Sequence, residues 1–213
     1  MSSRKTYSRE SEHKRRQDLI IATQQCVIKG GIGEASIRRI AAVAGVTPGL
    51  VRHYFPDKDA LICAAYRETM DQMFAAARLG LEQFQGSALD KLRYFINTSL
   101  QTGVMNSHYH QLWASFTSLT CAIPEMAEIH RESYLEFRMG CQDLVEAVLH
   151  EQGRQISDKE LEHYGIMVNA LLDGLWLEGC LAMELFSKGL LAELGLRSVE
   201  AVLAIKGLSE PQN

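Results

Sequence analysis

Residues 37–61 read IRRIAAVAGVTPGLVRHYFPDKDAL. Two short helices that pack at a steep angle need a small residue where they cross, and Ala41 supplies it. Four residues later the chain must turn sharply, often through positive φ, which Gly45 permits. Six residues further on, the second helix must bury a branched apolar side chain, and Val51 stands there. Ile40, Val46 and Phe55 complete a miniature core. Ser36 is a good N-cap for the first helix of the pair. Thr47 caps the second, with Pro48 at the first helical position, where its missing N–H costs nothing. Residue type and spacing together predict a helix-turn-helix.

Burying Val51 and Phe55 leaves Pro48, Gly49, Arg52 and His53 facing outward on the second helix. In a helix-turn-helix that second helix enters the major groove, its N-terminal residues nearest the base edges. Gly49 lets the backbone approach DNA closely. Arg52 can fork onto guanine O6 and N7, a contact worth roughly 1–3 kcal/mol of discrimination. Thr47, Tyr54, Lys58 and Arg38 are placed for phosphates. Charge agrees. Residues 1–55 carry ten Lys/Arg against four Asp/Glu, a net of +6, and the remainder carries twelve against twenty-two, a net of −10. A basic head on an acidic body suits a head that meets polyphosphate.

Outward from this stretch the chain reads as all-α, with no sustained period-two alternation. A first helix is predicted from about Glu12 to Lys29, stopped by Gly30-Gly31, after a flexible arm over residues 1–11. Asp57 caps a long fourth helix toward Leu79. Gly86-Ser87, Met105 to Ser107, Ile123-Pro124, Gly153 to Ser157 and Gly189 to Gly195 punctuate about five more. The expected domains are a helix-turn-helix head over 1–56 and a larger effector-binding and dimerisation body over 57–213.

Other function classes find little support. The N-terminus lacks the apolar core of a signal peptide. The most apolar stretch, Tyr164 to Phe186, contains Asn169, Asp173, Glu178 and Glu184, which a membrane span would resist, so a cytoplasmic protein is expected. The five cysteines are scattered and form no CxxC pair. His108 and His110 alternate, which places them on different faces of a helix, so no metal is expected. No nucleophile–base signature is visible, and Gly30-Gly31-Ile32-Gly33 lacks the lysine of a phosphate loop. Neither an enzyme nor a cofactor is expected.

The quoted run resembles the N-terminal domain of TetR-type regulators, through Ile40-Ala41, Ala44-Gly45-Val46-Thr47, Gly49, His53-Tyr54-Phe55 and Lys58. The resemblance covers roughly residues 12–65. It implies an all-helical homodimer, usually a repressor of double-stranded operator DNA released by a small-molecule effector; a transcriptional activator or a constitutive DNA-binding factor is the alternative reading, and a metal-dependent enzyme a more remote one. Arg52 stands where tyrosine is frequent, which alters operator preference but not docking. HYFPDKDAL, with residues 170–177 (ALLDGLWL), is similar to the choline-responsive repressors of the betaine pathway, the BetI type.

In the body, the helix expected from Leu161 to Phe186 is apolar almost all round. Leu161, Gly165, Val168, Leu172, Leu175 and Gly179 form one face, and with Val199 and Val202 of a last helix around 198–205 they make the expected dimer interface. In the family the last two long helices build a four-helix bundle across the dimer axis. Tyr109, Trp113 and Phe116 recur at i, i+4, i+7. With Asp173 and Trp176 they are candidate walls for a choline-like cation, held by cation–π attraction and a carboxylate; a plain aromatic core stripe is the alternative reading.

Overall fold

The computed structural model describes residues 2–101 and 107–210, and the side chains of residues 12–75, 77–100, 108–182 and 184–210. Every regular element among them is helical: α1 (Ser2–Gly30), α2 (Ile37–Val43), α3 (Pro48–Tyr54), α4 (Lys58–Gln83), α5 (Ala88–Gln101), α6 (Ser107–Thr117), α7 (Pro124–Glu151), α8 (Asp158–Leu181) and α9 (Leu190–Leu203). Short 3-10 turns at Ile32–Glu34 and Met183–Leu185 complete the order. The start and stop signals act as expected. Asp57 Oδ1 accepts from the Ala60 N–H at 2.8 Å to open α4. Ser157 and Glu160 form a reciprocal capping box on α8.

Two elements differ from expectation. The last helix begins at Leu190, not near Ser198, because Gly195 is no stop. It is buried inside α9, where a Cβ would lie 2.5 Å from Leu100 Cδ1, so the glycine serves close packing. The stop comes at Ala204, at φ 52°. At the other end, α1 spans Ser2–Gly30 and the side chains of residues 1–11 lie outside the described ones, so the expected arm stays an expectation.

The chain divides into two compact units, and the division is not the expected cut at Pro56-Asp57. A head unit joins residues 1–71 to residues 111–131, and a body unit joins 72–110 to 132–213. The reason is that α4, α6 and α7 each run unbroken from one unit into the other. The head's core is Leu19, Ile20, Ile40, Leu61, Ile62, Tyr66, Phe116, Met126 and Ile129, all under 2% exposed. Across α1 and α4, Gln24 Nε2 donates to Thr69 Oγ1 at 3.0 Å, and Thr69 donates on to the Ala65 carbonyl at 2.8 Å. The body's core gathers Leu92, Phe95 and Ile96 of α5, Val145 and Leu149 of α7, Val168 and Leu172 of α8, and Val199 and Leu203 of α9. Phe137 stacks on Phe74 at 4.7 Å and on Phe95 at 5.3 Å between centroids. Arg93 Nε donates to the Leu208 carbonyl at 2.9 Å and ties the C-terminal segment to α5.

Candidate nucleic-acid interface

The turn between α2 and α3 decides where the second helix points. Ser36 Oγ accepts from the Arg39 N–H at 3.3 Å and opens α2. At its end, Gly45 takes φ +65°. The Val46 N–H reaches back to the Ala41 carbonyl at 2.9 Å and the Gly45 N–H to the Ala42 carbonyl at 3.3 Å. Those two bonds are a Schellman stop, and the left-handed residue it needs is the glycine. Thr47 Oγ1 then accepts from the Leu50 N–H at 3.3 Å and opens α3, with Pro48 following. Ala41 is buried at the crossing, and Val51 and Phe55 are 0% and 2% exposed. The miniature core drawn from spacing alone is therefore present.

Anchoring Val51 and Phe55 turns the opposite side of α3 to solvent. Thr47, Pro48, Gly49, Arg52 and His53 are exposed, and Tyr54 is half-buried. Arg38 on α2 is exposed, and Lys58 at the start of α4 is half-buried. A Cβ on Gly49 would meet nothing nearer than Thr47 Oγ1 at 3.8 Å. Glycine is thus not required there by the protein's own packing. Arg39, next to Arg38, is paired with Glu34. The arrangement offers an exposed helix end with cations on it, and no group of His, Cys, Asp and Glu that could hold a metal ion occurs among the described residues.

Sequence reasoning missed one part of this surface. An open cleft of about 350 Å³ runs between α1 and α3, lined by Glu12, His13, Arg16, His53 and Tyr54. The Arg16 guanidinium stands 4.8 Å from the Phe55 ring centroid, so α1 holds the end of α3 by a cation–π contact. The available signal was the basic run from His13 to Arg16 at the start of the first helix, which the sequence reading did not set beside the second helix of the pair.

The body residues fall differently from expectation. Gly165, Val168, Leu172, Gly179 and Val199 are buried within the single chain. Leu161, Leu175 and Val202 pack against that same core. Gly165 is pressed by the Gln142 side chain of α7, so its close contact is internal. This face of α8 is core because α5, α7 and α9 already cover it. The open apolar face of α8 is the opposite one: Ile166 is 37% exposed, Met167 43%, Leu177 38% and Leu181 67%. Ala170, Asp173 and Gly174 are exposed along the same side.

The three residues of the expected aromatic wall, Tyr109, Trp113 and Phe116, all lie on α6. Tyr109 belongs to the body unit, whereas Trp113 and Phe116 belong to the head unit. Phe116 is fully buried with its centroid 5.5 Å from that of Tyr66, whose hydroxyl lies 2.7 Å from His130 Nδ1. Burial pushes the Tyr66 phenol up and His130 down from their usual ranges. Within the body, Trp176 meets His110 edge-on at 5.8 Å. Asp173 accepts from Asn169 Nδ2 at 2.7 Å. Although Asp173 has open surface, protein crowds the volume around it, and this desolvation raises its carboxyl above the usual range against the opposing pull of the Asn169 bond.

Comparison with known proteins agrees with the geometry. The family description "Bacterial regulatory proteins, tetR family" matches residues 19–65, and "BetI-type transcriptional repressor, C-terminal" matches residues 88–204. The regulator BetI of Stenotrophomonas maltophilia is 29% identical over 167 residues, covering 78% of this chain and 82% of its own. BetI 1 of Chromohalobacter salexigens is 28% identical over 190 residues, covering 89% and 91%. A transcriptional-regulator structure from Pseudomonas aeruginosa PAO1 superposes with a TM-score of 0.82 at 29% identity, covering 90% of this chain and 91% of that one. No described helix is long and apolar enough to cross a membrane. The chain belongs to the TetR family of DNA-binding transcriptional regulators, with a BetI-type C-terminal domain, and is not an enzyme.

Proposed function

We propose that this chain is a repressor that binds a palindromic operator as a homodimer and is released by a small-molecule effector. The observation that carries the reading is the open face of α3, where Gly49, Arg52 and His53 stand over a buried Val51 and Phe55. Arg52 reads a base edge; Thr47, Tyr54, Lys58 and Arg38 position the head on phosphates. The cleft residues His13 and Arg16 flank the same surface.

Dimerisation follows from the operator's symmetry and from α8. Two reading helices must meet successive major grooves, which a two-fold dimer supplies. The open face of α8, with Ile166, Ala170, Gly174, Leu177 and Leu181, is the apolar surface a second copy would cover. Gly174 supports this. Nothing in its own chain lies within 4 Å of a Cβ built there. A mid-helix glycine costs roughly 1 kcal/mol relative to alanine, and close approach of a partner helix offsets it.

The effector binds in the body, where Asp173 and Trp176 are the first residues to replace. It works by favouring one conformer, because a ligand shifts an equilibrium only through its differential affinity. The continuous helices α4, α6 and α7 are the elements that carry the change between units. Fluorescence anisotropy with DNA from upstream of its own gene tests the reading. Salt-sensitive, sequence-dependent binding is expected, and its absence overturns the proposal.

A further inference from the structure

The cleft of the head unit is lined by Glu12, His13 and Arg16 from α1 and by His53 and Tyr54 from α3. All five lining side chains carry a charge or a titratable group. The cleft also adjoins the surface that meets DNA, because His53 belongs both to it and to the exposed side of α3 beside Arg52 and Gly49. His13 and Arg16 stand three residues apart on α1, so they share a face, and both are exposed. The Arg16 guanidinium is held over the Phe55 ring at 4.8 Å. Stacking uses the face of a guanidinium, and its N–H donors lie in the plane. On the α3 side His53 meets Tyr54 edge-on, with centroids 5.2 Å apart.

The balance of charge in the cleft is set by its histidines. With both imidazoles neutral, the lining holds one cation, Arg16, and one anion, Glu12, and has no net charge. With both protonated it carries a net charge of +2. Imidazole is the side chain whose charge changes between pH 5 and 8. A phosphodiester offers only acceptors, and imidazolium, guanidinium and phenol all donate to it. An anion close to an imidazole favours its charged form. Phosphate in the cleft and protons on the two rings therefore favour each other by the same factor.

We propose that this cleft seats one backbone phosphate of the operator, and that His13 and His53 take up protons as the operator binds. Arg16 and the Tyr54 hydroxyl donate to the same phosphate. Glu12 cancels the standing charge of Arg16, which leaves the attraction to the imidazoles. Operator affinity therefore rises as pH falls through the imidazole range. The inference rests on the reading of α3 as the helix that enters the groove.

The test uses the full chain and a labelled duplex from upstream of its own gene, titrated by anisotropy in phosphate-free buffer at pH 8.0 and 6.0 over a salt series. Wild type is expected to bind roughly tenfold or more tightly at pH 6.0, with a salt slope steeper by about 0.9 for each further phosphate charge neutralised. In the His13→Gln, His53→Gln double variant the change between the two pH values is expected to shrink to about threefold or less. His130 is present in both proteins, so its titration cancels in the comparison. His13→Lys, a standing cation, is expected to tighten binding at pH 8.0. Calorimetry in two buffers of different ionisation enthalpy reads the proton uptake directly, and the double variant should take up fewer protons than wild type. Equal pH dependence in wild type and double variant, or no proton uptake, would overturn the seat. Inorganic phosphate alone is expected not to saturate the protein; saturation in the low millimolar range, lost in the double variant, would overturn the assignment to a duplex. A chain that binds its operator with sequence preference but equally at both pH values keeps the repressor reading and loses this site. A chain that binds no duplex at either pH loses both.

Discussion

Gly49→Ala is expected to stabilise the protein and weaken its hold on DNA at the same time. Gly49 is the second residue of α3, in helical conformation. Alanine there gains helix propensity and loses unfolded-state freedom, together about 0.5–1 kcal/mol. No steric cost opposes the gain, because the added Cβ meets only Thr47 Oγ1 at 3.8 Å, an ordinary contact. For a chain of this size the melting temperature should rise by roughly 1–4 °C. The methyl group, however, stands on the open side of the helix end that approaches the operator. A backbone held off by one methyl group loses contacts at the groove floor, and a tenfold weaker Kd corresponds to about 1.4 kcal/mol. Gly45→Ala is the control. Its Cβ meets nothing within 4 Å, but φ is +65°, so alanine is strained by roughly 1–2 kcal/mol and the melting temperature falls. Thermal melts and anisotropy titrations at one fixed salt concentration read both quantities. Wild-type operator affinity in Gly49→Ala would refute the placement of the α3 N-terminus against DNA. A lowered melting temperature would refute the open space.

Arg52→Ala should relax sequence preference at one operator position by about 1–3 kcal/mol, whereas Lys58→Ala should weaken all sequences alike and reduce the salt slope by about one; titrations of operator and scrambled duplex over a salt series distinguish them. Leu177→Glu should leave the fold intact, since the side chain is 38% exposed, but convert a dimer to a monomer by sedimentation equilibrium; an unchanged mass moves the interface elsewhere. His130 is held below its ordinary pKa by burial. The unfolded chain therefore binds its proton first, and stability falls as pH drops through 6.5 toward the lowered folded value. His130→Gln should flatten that part of the stability–pH curve, and a slope equal to wild type would show that another group carries it.

The head was legible in the sequence because its determinants are local. Ser36, Gly45, Thr47 and Pro48 act within a turn of themselves, through caps and one left-handed residue. Ala41, Val51 and Phe55 follow from helical spacing once those ends are set. Residues one turn apart on a helix share a face whatever the rest of the chain does. The cleft beside α1 was not legible, because it depends on how α1 lies against α3, and no spacing within either helix encodes that. The grouping of the chain by contacts is not encoded by spacing for the same reason. Residues 111–131 join the head through contacts distant in sequence, among them Phe116 and His130 on Tyr66.

The orientation of α8 shows where periodicity stops deciding. A helix apolar almost all round has two faces to bury, and its pattern does not say which neighbour takes which. Glycines suggested the dimer face at Gly165 and Gly179, on the physical ground that close approach must offset their cost. The ground holds, but the approach at Gly165 is made by Gln142 of the same chain. On α8, Gly174 has nothing of its own chain within 4 Å of an added Cβ, and it lies on the face with Leu177 and Leu181. The discriminating quantity is therefore not the presence of a glycine but whether its own chain fills the space beside it. By that criterion Gly174→Leu should separate the dimer while leaving the melting temperature of the monomer unchanged or higher, and Gly165→Leu should unfold the body before it reaches the interface.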